Sequence, residues 1–333
     1  MRRILIDDNV ERLANAYLED LLDKSKTGWR EMPKSRLMMI YRSLKDGQEH
    51  LKCYVSLLMS LYERIIVLRS ECFDEFHQRY FSQWDDDLGT EVTVKKKSMT
   101  LSDAVQWALR YDDLQHSFIP SHIKDVGIRT CIYCNEKSVA SASRIDRDGN
   151  IETMTRYQID HFYPQSKYPY LSTSFFNLQP SCDTCNNWKS NDWSQFNLFT
   201  CDAGKQDVFH FSIGDDDQVL NALINHDANH LQIRLESDEK GLLVNHDSLF
   251  HVESIYQNNH RKDALRIMDI LYNQNNSYVK SIKDALGLFV SITDENIMDE
   301  YFSLFGFDMY KNLVHMRPLN KLAQDIVEFY KLQ

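Results

Sequence analysis

Two Cys-x-x-Cys pairs constrain this chain more than any other feature of its sequence. Cys131 and Cys134 form the first pair, Cys182 and Cys185 form the second, and Asp160-His161 lies between them. Four thiolates from two loops are the ligand set that a tetrahedral Zn²⁺ ion prefers. Residues 135 to 181 form a spacer of 47 residues, which is longer than the usual spacing of paired knuckles. We therefore expect a structural zinc ion that clamps both ends of a functional segment.

Two unrelated pairs or a redox pair would also account for the cysteines, although thioredoxin-like motifs come singly inside a βαβ pattern. Four cysteines in CxxC pairs fit a reducing cytosol, where thiols bind metals. The N-terminus turns acidic too early for a signal peptide, and the most apolar run, 55–68, is broken by Glu63 and Arg64. We expect a cytoplasmic protein without membrane association.

Apolar periodicity predicts a mainly α fold with a small central β module, which makes the class α+β. We expect a helical N-terminal region over 1–120, a zinc-binding centre over 121–200 and a mainly helical C-terminal region over 201–333. Asp148-Gly149-Asn150 predicts a hairpin turn inside 138–157. A strand should then lead into Asp160-His161, a return strand should begin at Asn177, and a helix should begin at Cys182.

Several further segments carry weaker patterns. The apolar spacing is helical over 46–84, 261–271, 279–289 and 318–330. A second hairpin is predicted over 231–244, with its turn at Glu239-Lys240-Gly241, and Trp188 and Trp193 are expected in the core.

The net charge of −11 is unusual for a protein that binds nucleic acid. Residues 121–190 carry eight basic and seven acidic side chains, so the acidic excess lies in the flanks. Such flanks would oppose non-specific binding to DNA or offer a surface to a partner.

The centre contains the residue types that phosphodiester hydrolysis requires. A neutral imidazole accepts a proton near pH 7, which suits His161 as the base that activates water. Mg²⁺ prefers oxygen ligands, which suits Asp160. Neighbouring strand residues point to opposite faces, so both can serve one site only if the strand bends or the helix with Asn186 wraps round. A strand-end pair satisfied by the backbone is the alternative.

Three segments resemble the HNH endonucleases, the ββα-metal or His-Me finger superfamily. They are Asp160-His161-Phe162-Tyr163-Pro164-Gln165-Ser166, then Asn177-Leu178, then Cys182-Asp183-Thr184-Cys185-Asn186-Asn187-Trp188-Lys189. The resemblance covers roughly residues 128–195 and implies a ββα-metal module that hydrolyses nucleic acid, with DNA favoured.

The resemblance also implies a role for each matching residue. Asp160 would ligate Mg²⁺ or Mn²⁺, His161 would be the general base, and Asn177 would hold the loop that orients the histidine. Asn186 would be the second metal ligand, at a position where many members have histidine, and Lys189 would contact phosphate. The four cysteines match the zinc-binding subset of the family.

The arrangement of a zinc-type HNH centre between helical arms resembles the nuclease subunit of Septu-type anti-phage systems, which works beside an ABC-type ATPase. That resemblance implies antiviral defence and an ATPase partner, and a homodimer could pair two nicking centres. The competing hypothesis is a non-catalytic zinc module that binds nucleic acid or protein. Four basic residues flank the centre and are candidates for contacts with backbone phosphate: Arg144, Arg147, Arg156 and Lys167.

Overall fold

The computed structural model describes residues 1–139, 141–145, 151–155, 157–272 and 297–331. Helices dominate these residues and the strands are short, which confirms the mainly α class. The chain forms two compact units, each built from separate segments: one contains 4–126 and 140–204, and the other contains 1–3, 127–139 and 205–333. The division of the sequence into three regions, with boundaries at 120 and 200, stays a prediction.

The unit formed by 4–126 and 140–204 holds most of the helices. They are α1 (Asp8–Leu22), α2 (Lys24–Thr27), α3 (Pro33–Ser43), α4 (Glu49–Ile66), α5 (Phe73–Tyr80), α6 (Leu101–Leu109), α7 (Tyr111–Leu114), α8 (Phe118–Asp125) and α9 (Asp183–Lys189). Its strands are β1 (Ile4–Leu5), β2 (Glu91–Val94), β3 (Lys97–Thr100), β4 (Ser141–Ile145), β5 (Ile151–Thr155), β6 (Gln158–His161), β7 (Leu178–Ser181) and β8 (Phe199–Thr200).

Local sequence explains two helices of this unit, α1 and α4. In α1 the Asp7 carboxylate caps the N-terminus by accepting a hydrogen bond from the Val10 amide at 2.8 Å. In α4 one face is buried at a spacing of three and four residues, through Leu51, Val55, Leu58 and Tyr62. Burial of these side chains fixes which face of α4 meets the core.

The helical pattern predicted over 46–84 is interrupted. α4 ends at Ile66, and Arg69 adopts an extended conformation before the short 3₁₀ turn Ser70–Cys72 and helix α5. The Arg69 guanidinium binds the carboxylate of Glu11, which belongs to α1. The apolar spacing continues across this break, which is why the pattern predicted too long a helix.

The unit formed by 1–3, 127–139 and 205–333 contains two strands and six helices among its described residues. The strands are β9 (His210–Ser212) and β10 (Arg234–Glu236), and the helices are α10 (Asp216–Asn225), α11 (Lys240–Phe250), α12 (Val252–Asn259), α13 (Arg261–Tyr272), α14 (Ile297–Leu304) and α15 (Asn320–Lys331). The helices predicted over 261–271 and 318–330 are confirmed, and the prediction over 279–289 lies outside the described residues.

The hairpin predicted over 231–244 is wrong. β10 pairs antiparallel with β9, and Lys240 begins helix α11 instead of closing a turn. In α11 the side chains of Leu242, His246 and Phe250 are buried at a spacing of four residues, so burial of a helical face outweighs the turn tendency of Glu239-Lys240-Gly241.

The central strands follow the predicted order. β4 and β5 pair antiparallel from Ser141↔Thr155 to Ile145↔Ile151, and the turn at 148–150 lies outside the described residues. β6 pairs antiparallel with β7, with Asp160 opposite Gln179 and His161 opposite Leu178. Helix α9 follows and packs on β6. Among the described residues, no helix has the length and apolar character to cross a membrane.

Candidate functional site

The thiols of Cys131, Cys134, Cys182 and Cys185 form one buried cluster, in which the four sulfur atoms lie within 4.8 Å of one another. A tetrahedral zinc ion with bonds of about 2.3 Å holds its sulfur ligands roughly 3.8 Å apart, so these thiols fit such an ion. The prediction that the four cysteines come together, close enough to bind a metal ion, is confirmed.

Backbone geometry shapes each cysteine pair. The Cys131 carbonyl accepts a hydrogen bond from the Asn135 amide at 2.9 Å, and Asn135 has a φ of 53°, a left-handed conformation that asparagine tolerates well. The Asn135 side chain donates to Thr130 Oγ1 at 2.9 Å, which holds the turn. Cys182 is the N-cap of α9, and its sulfur accepts a hydrogen bond from the Cys185 amide at 3.4 Å.

His161 ends strand β6 and is buried at the edge of a cleft. Its Nε2 lies 2.9 Å from the carbonyl oxygen of Ser172. A carbonyl only accepts hydrogen bonds, so Nε2 carries the proton and Nδ1 of the neutral ring keeps its lone pair. Burial lowers the pKa of His161, and Lys189 lowers it further, while the Ser172 carbonyl and Asp160 oppose the change. The ring is therefore neutral at pH 7.

Asp160 forms a buried ion pair with Lys189. The Lys189 ammonium donates to Asp160 Oδ1 at 3.0 Å and to the His161 carbonyl at 3.3 Å, and Lys189 is only 1% exposed. Because Lys189 lies on α9, the helix reaches round the end of β6. Asp160 and His161 consequently line the same cleft.

Asn177 holds the loop between β6 and β7. Its side-chain oxygen accepts from the Tyr163 amide at 2.7 Å, and its amide nitrogen donates to the carbonyls of Tyr163 at 3.1 Å and Leu171 at 3.0 Å. The Tyr17 hydroxyl donates to the Thr173 carbonyl at 3.1 Å, which ties the same loop to α1. These bonds fix the position of the Ser172 carbonyl and therefore the orientation of His161.

Asn186 lies on α9 and lines the cleft beside Asp160. Its amide nitrogen donates to Gln158 Oε1, so its own oxygen is the atom suited to a cation. One carboxylate and one amide oxygen at a water-accessible cleft match the ligand types of Mg²⁺, which keeps several waters of its own.

The cleft has a volume of about 620 Å³ and opens between α6, α7, the end of β6, the following loop and α9. Two hydrogen bonds hold the α6 wall against the loop: Ser102 Oγ donates to the Ser166 carbonyl and Gln106 Nε2 donates to the Gln165 carbonyl, both at 3.2 Å. The loop following β6 is thereby fixed at both of its sides.

Tyr111 and Ser172 are site residues that sequence reasoning missed. The Tyr111 hydroxyl donates to the Ile159 carbonyl at 2.8 Å, and its ring centroid lies 4.8 Å from that of His161. Burial raises the pKa of Tyr111, so the hydroxyl keeps its proton. Ser172 acts through its backbone carbonyl, which no side-chain motif can reveal.

Two of the four predicted phosphate-binding residues belong to the described part of the chain. Lys167 is exposed in the loop that follows β6, and Arg144 lies in β4. Arg147 and Arg156 lie outside the described residues. Their role in binding stays a prediction.

The prediction that Trp188 and Trp193 lie in the core is wrong. Trp188 is 45% exposed and Trp193 is 47% exposed. Trp188 lies on α9, and Trp193 follows it in the loop after the helix, where its ring centroid is 5.3 Å from that of Tyr163.

Comparison of the chain with protein-family models, with curated proteins and with solved structures found no match.

Proposed function

We propose that this protein is a metal-dependent endonuclease of the HNH type, which hydrolyses phosphodiester bonds of nucleic acid at the cleft lined by Asp160, His161 and Asn186. The observation that carries the proposal is the hydrogen bond from His161 Nε2 to the Ser172 carbonyl. It keeps the lone pair of a neutral imidazole on Nδ1, in a residue that lines a cleft with a carboxylate and an amide oxygen. The order of β6, β7 and α9 agrees with a ββα-metal module.

His161 is the general base of the proposed reaction. Nδ1 takes the proton of the attacking water, and the Ser172 carbonyl stabilises the imidazolium because it already accepts the proton on Nε2. Asn177 supports this step indirectly, since its three hydrogen bonds hold the loop that carries Ser172. Proton transfer by such a positioned base contributes about 10²–10⁴-fold to a rate.

Asp160 and Asn186 would hold a Mg²⁺ or Mn²⁺ ion through their side-chain oxygens. A bound divalent ion supplies charge stabilisation at the phosphate and the leaving oxygen. Lys189 holds the Asp160 carboxylate in place by an ion pair and a second bond to the His161 carbonyl. The cysteine cluster would bind a structural zinc ion, because four thiolates favour zinc over hard cations.

The test is cleavage of supercoiled plasmid and of single-stranded circular DNA in Mg²⁺ or Mn²⁺. We expect metal-dependent cutting that falls at least 10²-fold in His161→Ala. His230→Ala is the matched control, because His230 is exposed on the unit formed by 1–3, 127–139 and 205–333 and should leave the rate unchanged.

Cutting that is equally fast in His161→Ala would refute the assignment of the base. Cleavage that begins only when the ABC-type ATPase is added would place the enzyme under that partner's control, as a defence role predicts. Binding without cleavage, in zinc-loaded protein and with the partner present, would favour the non-catalytic module.

A further inference from the structure

The cleft carries little positive charge for a site that binds nucleic acid. Among the described residues that line it, Lys189 is the sole permanent cation, and its ammonium is held by Asp160. Three carboxylates line the same space, those of Asp103, Asp112 and Asp160. Proteins that bind duplex DNA through its backbone neutralise several phosphates with lysine and arginine. The described lining residues alone therefore offer little for that mode of binding.

Amide side chains are common among the described residues of the cleft wall. Six of the residues that line the cleft are Gln106, Gln115, Gln158, Gln165, Asn186 and Asn191. An amide offers a donor and an acceptor side by side, which is the pattern needed to bind the edge of a nucleobase. The amide nitrogens of Gln106, Gln115 and Asn186 already donate within the protein, so Gln165 and Asn191 are the amides that this inference assigns to a base. Gln165 Oε1 is buried and has no hydrogen-bond partner among the described residues, so a ligand that donates to it would satisfy an otherwise costly acceptor.

One exposed tryptophan, Trp193, packs on the residue that precedes the cleft wall. Trp193 follows Asn191 by two residues, and its ring packs on that of Tyr163, which immediately precedes Pro164 of the cleft wall. Tyr163 is itself buried and packs against the ring of Phe73 at 5.2 Å. Trp193 is therefore backed by a fixed aromatic cluster while it stays 47% exposed, which makes it a preformed surface for stacking.

We propose that the cleft binds unpaired nucleobases, which stack on Trp193 and are held at their edges by the amide side chains. The inference deepens the proposed nuclease function and rests on it. In a duplex the bases are stacked and paired, so neither their faces nor their Watson–Crick edges can reach such a surface. The net charge of −11 also disfavours the phosphate-dominated binding of duplex DNA.

The experiment is fluorescence anisotropy with a labelled single-stranded DNA, a single-stranded RNA of the same sequence, and the matching DNA duplex. The protein carries His161→Ala, so that the probes stay intact during the titration. We expect a single strand to bind at least tenfold more tightly than the duplex. Whichever single strand, DNA or RNA, binds more tightly shows which sugar the cleft prefers. A plot of the logarithm of the binding constant against the logarithm of the salt concentration should have a slope of about 2 or less in magnitude, because few phosphates are neutralised.

Trp193→Ala should weaken single-strand binding about tenfold, as expected for the loss of one stacked base, and should leave duplex binding unchanged. Trp193→Phe should keep most of the affinity, since phenylalanine also stacks. Phe329→Ala is the matched control, because Phe329 is 52% exposed on α15 in the other unit. Should Trp193→Ala fail to fold by circular dichroism, Trp193→Phe and Gln165→Ala carry the test, with Gln165→Ala expected to weaken single-strand binding.

Equal or tighter binding of the duplex would overturn the inference, as would binding of no probe, or unchanged single-strand affinity in a folded Trp193→Ala protein. These outcomes are separate from the nuclease assay. If no assay shows cleavage but the protein still prefers single strands, only the proposed nuclease function is refuted. If cleavage depends on His161 but the protein does not prefer single strands, only the inference about nucleobase binding is refuted.

Discussion

Lys189 and Asp160 bring two opposite charges into the edge of the core. Their atoms are 3.0 Å apart, and their side chains are 1% and 10% exposed. Water cannot solvate Lys189, so its charge depends on Asp160 and on the His161 carbonyl. Removal of one partner leaves a poorly solvated charge, and removal of both avoids that cost.

A double-mutant cycle of Lys189→Met and Asp160→Asn should therefore reveal strong coupling. We expect each single variant to lower the free energy of unfolding and the coupling energy to be about 1–3 kcal/mol, measured by urea denaturation. The control is the exposed pair Lys34 and Glu63, whose side chains are 46% and 54% exposed and whose coupling should be about 0–0.5 kcal/mol. Additive effects at Lys189 and Asp160 would contradict the ion pair.

The sequence pattern predicted four of the residues that line the cleft, Asp160, His161, Asn186 and Lys189, and physical reasons explain those it missed. Asp160, His161 and Asn186 all line one cleft, as the motif spacing suggested. Lys189 was expected to face phosphate, but its partner in the fold is Asp160, because α9 turns back onto β6. Spacing predicts which residues come together and does not reveal the direction of each side chain, since that direction depends on tertiary packing.

At the scale of secondary structure, the N-terminus of α9 joins a helix cap to the cysteine cluster. Cys182 caps the helix, and serine is among the best capping residues, so Cys182→Ser separates the two roles. We expect this variant to keep the helix cap but to lose the metal, with bound zinc falling from one ion per chain towards none by elemental analysis. Cys53→Ser is the control, because Cys53 is exposed. Full zinc content in Cys182→Ser would contradict the proposed site.

The β2–β3 hairpin was missed because its turn lacks the usual residues. Val94 pairs with Lys97, and the two residues between them, Lys95 and Lys96, have φ values of 50° and 65°. Two left-handed residues in a two-residue loop are typical of asparagine and glycine, so a run of lysines gave no turn signal. The strand alternation is present in β2, where Val92 and Val94 are buried, but four residues are too few to predict a strand.

Lys96→Gly should therefore stabilise the protein. Glycine adopts a φ of 65° without the steric cost that a Cβ atom adds, and we expect a gain of about 0.5–1 kcal/mol in the free energy of unfolding. Lys97→Gly should have the opposite effect, since Lys97 is extended within β3 and glycine weakens a strand. Denaturant unfolding of both variants beside the unmodified protein measures the difference, and a loss of stability in Lys96→Gly would show that the turn is not strained.

For the whole molecule, local patterns predicted the elements but not which segments share a unit. Residues 1–3 belong to the same unit as 205–333. The Arg2 guanidinium donates to Asp207 at 2.7 Å, and His315 Nε2 donates to the Arg2 carbonyl at 2.7 Å. Such contacts join residues more than two hundred positions apart, and neither periodicity nor capping signals encode them.

Two buried histidines of that unit make its stability depend on pH. Burial lowers the pKa of His246 to about 3 and that of His315 to about 4, although each ring donates a hydrogen bond to a backbone carbonyl. In the unfolded chain both titrate near their usual value of about 6.5. Between about pH 6.5 and the pKa of each histidine in the folded protein, the unfolded state binds more protons than the folded state. The free energy of unfolding therefore falls as the pH falls through this range.

His246→Gln tests the origin of this pH dependence. Between pH 7.5 and 5.0 each buried histidine costs about 2 kcal/mol of unfolding free energy, because the unfolded state gains a proton that the folded state excludes. Glutamine keeps an amide donor for the Tyr133 carbonyl but does not titrate. The variant should be less stable than the unmodified protein at pH 7.5, but its free energy of unfolding should fall by about 2 kcal/mol less between pH 7.5 and 5.0. Urea denaturation measures both values, and the zinc content is checked at each pH. An equal loss in both proteins would mean that His246 is protonated in the folded state.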